Sequence, residues 1–149
     1  MTSEGNNLTI VNGEYISGLV DGEGCFYSNI YYFKKYPDAC PQTRIHFYIK
    51  LREDDLIILE EVKEFLGFGH IYYQKETRTN HSPCHRYEVN KRDELKKLIQ
   101  FFAKHPLHSP KKARDLNRIK EMLVIIDSGE HLKPSGIARI TALKKEMHM

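Results

Sequence analysis

Asn12 precedes a run in which Tyr15, Ile16, Leu19 and Val20 recur at the spacing of one buried helix face, so the first element is a helix capped by Asn12. It should end near Gly22 to Gly24. CFYSNIYYF follows, rich in aromatic and branched side chains, then a turn at Tyr36-Pro37-Asp38. Residues 44–51 alternate strictly: Ile45, Phe47, Ile49 and Leu51 point one way, and Arg44, His46, Tyr48 and Lys50 the other. The two runs read as a hairpin with one core face and one wet, basic, aromatic face.

Residues 53–66 return to helical periodicity, with Leu56, Leu59, Val62 and Leu66 on one side, acids at the positive N-terminal end, and Gly67 closing the helix. His70–Lys75 and Arg86–Asn90 read as a second hairpin. A helix from Asp93 to Lys104 turns Leu95, Leu98, Ile99 and Phe102 inward. Pro106 and Pro110 interrupt the chain before a helix from Lys111 to Asp127 and a last one from Pro134, placed at a first turn, to Met147. The order αββαββαα predicts an α+β fold, a four-stranded antiparallel sheet backed by helices with its other face open.

At 149 residues the chain fits one domain, 1–149, and 40% hydrophobic with 29% charged residues excludes a disordered or fibrous chain. No apolar run approaches the roughly 18 residues of a membrane helix, and the start lacks a basic, apolar-cored leader, so a soluble, intracellular protein with no membrane partner is expected. Three cysteines without a Cys-x-x-Cys pair argue against disulfides and a zinc knuckle, and His81, Cys84 and His85 lack a fourth ligand and read as loop. The net charge of +3 conceals an asymmetry. Residues 1–24 and 53–66 are acidic, whereas Lys104, Lys111, Lys112, Arg114, Arg118 and Lys120 face only Asp115 in between, a candidate phosphate-facing segment.

Ile16-Ser17-Gly18-Leu19-Val20-Asp21-Gly22-Glu23-Gly24 holds the candidate chemistry. Gly18 and Gly22 lie four apart beside Ser17, leaving one side of a helix nearly bare, so that another backbone can approach. Asp21 and Glu23 fall at the C-terminal end of that helix, where carbonyls already present negative charge. A cation must compensate, and a hard divalent ion held by a carboxylate, a backbone carbonyl and waters would suit phosphate chemistry.

Residues 16–24 resemble, position by position, the LAGLIDADG motif of homing endonucleases, with Glu23 in its penultimate acidic place. FYIKLREDDLIILEEVKEFLGFGHI, from Phe47 to Ile71, is similar to the second strand, second helix and third strand of that family, and HPLHSPKK to its basic segment. The resemblance spans roughly residues 12–148. It implies the αββαββα fold and a site-specific endonuclease that hydrolyses one phosphodiester per strand with Mg²⁺, for which Mn²⁺ could substitute. It makes Glu23 the catalytic metal-binding acid, the Gly22 carbonyl a second ligand and Lys111 the basic catalytic residue. Lys112 is a one-residue alternative, Asp21 ranks second among the acids, and Leu51 stands where the family often has a polar residue, with Arg52 adjacent.

One motif serves one active centre, so cutting both strands implies a homodimer paired through Ser17, Gly18 and Asp21. Double-stranded DNA should lie on the sheet, against Tyr27, Asn29 and Tyr31, then Arg44, His46, Tyr48 and Lys50, then Tyr72, Gln74, Arg86 and Glu88. Lys34, Lys35, Lys75 and Arg78 at hairpin tips suit phosphates, over a long pseudo-palindromic site. The alternative is a non-cleaving nucleic-acid-binding protein on the same scaffold, a maturase on intron RNA or a DNA binder. Either function suits a prokaryotic cytoplasm or an organelle.

Overall fold

The computed structural model describes residues 11–148; residues 1–10, on which the leader reading rests, and Met149 lie outside them. The first helix, α1 (Gly13–Glu23), begins where Asn12 Oδ1 accepts the Tyr15 N–H at 2.8 Å. It buries Ile16 and Val20. Tyr15, which spacing places on the buried face, is 44% exposed, because the inward stripe runs through Gly13, Ile16, Ser17 and Val20 and Tyr15 falls outside it.

Strands β1 (Gly24–Tyr31) and β2 (Gln42–Arg52) form the first hairpin, and α2 (Leu56–Leu66) follows a single 3₁₀ turn at Glu53–Asp55. Gly67 ends α2 at φ 82°, a left-handed conformation that favours glycine, and its N–H reaches the Lys63 carbonyl at 2.8 Å. Strands β3 (His70–Gln74) and β4 (Cys84–Val89) form the second hairpin. The helices α3 (Arg92–Lys104), α4 (Pro110–Asp127) and α5 (Pro134–Glu146) complete the chain. Pro110 does not break the chain but opens α4: Ser109 caps that helix through the Lys112 N–H, and Pro110 takes the first-turn place where a missing N–H costs nothing.

The sheet is antiparallel in the order β1-β2-β4-β3, so β2 and β4 carry the two hairpins together at its centre. Its inner face presents Phe26, Phe47 and Tyr87, and Phe102 of α3 sits over them with ring centroids 6.1 Å from Phe26 and 6.2 Å from Phe47. The Tyr87 hydroxyl donates to the Phe68 carbonyl at 2.8 Å, which satisfies it within apolar surroundings; burial raises its pKa far above the ordinary phenol range. Phe47, 1% exposed, touches both Phe26 and Tyr87. Phe47→Ala should therefore cost about 3–5 kcal/mol, read as a lowered urea midpoint. No helix of the described residues is long and apolar enough to cross a membrane.

Candidate active site and nucleic-acid interface

Four residues of α1 that are neighbours in the motif do two different jobs, because positions four apart share a helix face. Ser17 and Asp21 face the segment before α4. The Ser17 hydroxyl donates to the Pro106 carbonyl at 2.8 Å, and the Asp21 carboxylate accepts the His108 N–H at 3.0 Å and the Ser109 N–H at 2.9 Å. Gly18 and Gly22, one step around the helix, are exposed, and a Cβ at either would meet nothing within 4 Å.

The residues expected at an interface divide here: Ser17 is 1% exposed with its hydroxyl committed inside the chain, and Asp21 binds backbone at the start of α4, where the helix dipole favours a carboxylate. The bare outer surface consists of Gly18 and Gly22 with Tyr15 beside them. Asp21→Ala should cost about 1–2 kcal/mol, as losing a helix-terminal acceptor does, and Asp21→Asn less; thermal unfolding distinguishes them.

The cation expected at the C-terminal end of α1 is in part an ammonium. Lys112 Nζ donates to the Gly24 carbonyl at 2.7 Å and lies 3.4 Å from the Asp21 carbonyl. Lys111, one position earlier and 100° around α4, is exposed and makes no such contact. The structure therefore brings Lys112, not Lys111, to the end of α1. Glu23 is the last residue of that helix, exposed, with no hydrogen bond or ion pair among the described residues.

A free carboxylate beside the carbonyls of a helix end is the donor chemistry a hard divalent ion takes, so Glu23 and Gly22 fit the implied Mg²⁺. Yet no group of three or more His, Cys, Asp or Glu side chains converges on one point among the described residues. Cys84 and His85 do not form the loop read from the sequence: they lie in β4, where successive side chains point to opposite faces.

The open face of the sheet collects every strand residue expected on it. Across the strands run the rows Tyr27–His46, Asn29–Arg44, Tyr48–Glu88 and Lys50–Arg86–Tyr72, with Gln74 on the next row beside Cys84 and Arg52. Tyr31 stands opposite Gln42. Cys25, Gln42, His70 and Cys84 share this face and were not singled out by composition, although the two-residue period extended to the strand ends places them there. β2 outruns the start of β1, whose Gly24 pairs with Ile49, so Lys50 and Arg52 continue beyond it. Arg52 pairs loosely with Asp54 at 3.7 Å, while Leu51 packs inward against the core.

The face is ordered by its own contacts. Arg86 stacks over Tyr48 with its guanidinium carbon 3.8 Å from the ring centroid, and Arg44 stacks over Tyr31 at 4.4 Å while donating to Gln42. Glu88 differs from the rest. Its carboxylate meets His46 Nδ1 at 2.8 Å, Arg86 Nε at 3.4 Å and Asn90 Nδ2 at 3.0 Å, so it fixes the bases around it rather than standing free for a ligand. Tyr48 carries a raised pKa, from hydrogen bonding with Cys25 and from burial. Lys34 and Lys75 are exposed beyond the strand ends; Arg78, by contrast, is bound at 2.7 Å to Glu76, whose carboxyl it holds down at about 2.

The basic segment before and within α4 divides in the same way. His105 packs against Phe101 and Gly13 and lies 3.4 Å from Glu14, Arg118 pairs with Glu121 and Glu146, and Lys112 turns to α1. Asp115, 2% exposed, accepts the His148 N–H at 3.0 Å and ties the end of the described chain to α4.

The same fold recurs in known proteins. The chain is 31% identical to the homing endonuclease I-TnaI, with a TM-score of 0.79 over 93% of this chain and 89% of that one. It is 28% identical to the LAGLIDADG meganuclease I-AabMI, solved bound to uncleaved DNA, with a TM-score of 0.77 over 93% of this chain but 45% of that one. Among curated sequences it is 27% identical over 145 residues, 97% of its length, to the probable intron-encoded endonuclease 3 of Neurospora crassa. The chain spans about a quarter of the length of the curated relatives it matches. The family described as LAGLIDADG endonuclease matches residues 16–123, from the buried face of α1 through both hairpins into α4, and to that family the chain belongs.

Proposed function

We propose that the protein is a site-specific homing endonuclease that binds a long pseudo-palindromic DNA duplex as a homodimer and cuts one phosphodiester per strand. The observation that carries this reading is the free carboxylate of Glu23 at the helix end that also holds Lys112. A protein that only bound nucleic acid, DNA or intron RNA, would lose affinity by placing an unpaired anion close to phosphates. Glu23 and the Gly22 carbonyl would hold Mg²⁺, or Mn²⁺ in its place, and the ion supplies the Lewis acidity for in-line hydrolysis.

The chain's own groups supply orientation and charge. An ammonium has three donors; Lys112 commits one firmly to Gly24 and a second weakly to Asp21, which leaves the third for a phosphate oxygen in the transition state. Asp21 and Ser17 keep the ends of α1 and α4 together, so that Lys112 and Glu23 stay in fixed relation. On the sheet, the stacked Arg86 and Arg44 present guanidinium edges suited to guanine and to phosphates, and Lys34 and Lys75 suit the backbone.

Dimerisation follows from what a single protomer lacks. It holds one Glu23, and its Gly18 and Gly22 surface is open. The match to I-TnaI covers 89% of that chain and the match to I-AabMI 45% of that one, so one copy of this fold accounts for about half of the DNA-bound meganuclease. A twofold axis along the glycine surface brings two Glu23 carboxylates near each other, with bound cations relieving the repulsion.

Gly18→Leu tests the pairing cleanly, since the protomer has room for the added side chain. The variant should keep the wild-type far-UV circular dichroism spectrum, sediment as a monomer at micromolar concentration, and cut at most single strands. A dimeric Gly18→Leu protein, or a monomeric wild type, would remove the paired active site.

A further inference from the structure

Asn29 lies in β1 opposite Arg44, on the open face between Tyr27 and Tyr31. Its Oδ1 accepts a 3.0 Å hydrogen bond from Nζ of Lys144, a residue 115 positions away in the last turn of α5. An ammonium only donates, so it is the amide oxygen that meets Lys144, and the NH₂ group has no partner among the described residues. The contact is held from behind. Ile140, 1% exposed, and Met147, 6% exposed, anchor α5 in the core, and Met147 Sδ accepts the Ser28 hydroxyl at 3.7 Å, one residue before Asn29. The opposing Arg44 is engaged with Gln42 and Tyr31, so it does not compete for the amide.

We propose that Lys144 is a positioning residue for base readout: by holding Oδ1 it makes Asn29 a pure donor towards DNA. The inference rests on the DNA-binding reading of the open sheet face. An asparagine reads adenine with both amide atoms, the oxygen accepting from N6 and the nitrogen donating to N7. With its oxygen committed, Asn29 suits instead a base edge that offers acceptors, O6 and N7 of guanine or O4 of thymine. The C-terminal helix thereby takes part in specificity without touching a base.

The test is selection of bound duplexes from a randomised DNA library by wild type, Lys144→Ala, Lys144→Arg and Asn29→Ala, with affinities measured over a salt series. One base pair in each half-site should favour guanine or thymine in wild type and in Lys144→Arg, which still donates. Lys144→Ala should move that one position towards adenine by roughly fivefold or more, the lower range of a bidentate contact, and leave the others unchanged. Asn29→Ala should lose preference at the same position. A uniform loss of affinity with a shallower salt slope in Lys144→Ala would make Lys144 a phosphate contact and overturn the proposal, as would an unchanged preference at that position. Failure of the wild type to select any duplex would bring down the DNA reading, and this inference with it.

Discussion

Glu23→Gln is expected to lower Mg²⁺-dependent cleavage of the target duplex by about 10²–10³-fold or more, on the scale of losing a group that stabilises charge in the transition state, while DNA affinity is retained or rises. The reasoning is local. Glu23 is exposed and makes no hydrogen bond or ion pair among the described residues, so its charge contributes nothing to holding α1 in place. At the C-terminal end of a helix, next to partly negative carbonyls, a carboxylate is destabilising in the free protein. Glutamine keeps the shape, removes that repulsion and removes a negative charge near phosphates. A melting temperature equal to or above that of wild type should therefore accompany the loss of cleavage. Cleavage at the wild-type rate would take Glu23 out of the mechanism.

The second large effect separates two adjacent lysines. Lys112→Met should reduce single-turnover cleavage by about 10²-fold, whereas Lys111→Met should leave it within about threefold, because only Lys112 reaches the carbonyls at the end of α1. Lys112 also has a structural part: its hydrogen bond to Gly24 is charge-assisted, a class whose loss costs about 1.5–3 kcal/mol. Rates are thus to be compared well below both melting temperatures. A larger loss of cleavage in Lys111→Met than in Lys112→Met would contradict the placement.

The elements themselves were legible because apolar periodicity is a local property. The strict alternation of residues 44–51 is sufficient to assign both sheet faces, and the register then carries Tyr27, Asn29, Tyr72, Gln74 and Arg86 to the same side as Lys50. The motif's glycines were legible as an open face for the same reason. What one element cannot report is its partner. Asp21 and Glu23 look alike as acids at a helix end, and only the arrival of His108 and Ser109, nearly 90 residues on, turns one into a cap and leaves the other free.

The choice between Lys111 and Lys112 turns on helix phase. Reading Pro110 as a break starts α4 at Lys111, but with Ser109 as cap and Pro110 in the first turn it is Lys112 that faces α1. Glu88 shares a face with Arg86 and so reads from sequence as a base contact; the burial of its carboxylate between His46, Arg86 and Asn90 depends on two strands far apart in sequence. The bond from Lys144 to Asn29 has no local signature at all.

The most direct test of the account is cleavage of a randomised duplex DNA library by the wild-type protein and by Glu23→Gln in Mg²⁺, with a Ca²⁺ control, followed by sequencing of the cut ends. One pseudo-palindromic site should be cut, once on each strand, by wild type in Mg²⁺ only. A site that is selectively bound yet never cut, or one cut equally by Glu23→Gln, would contradict it.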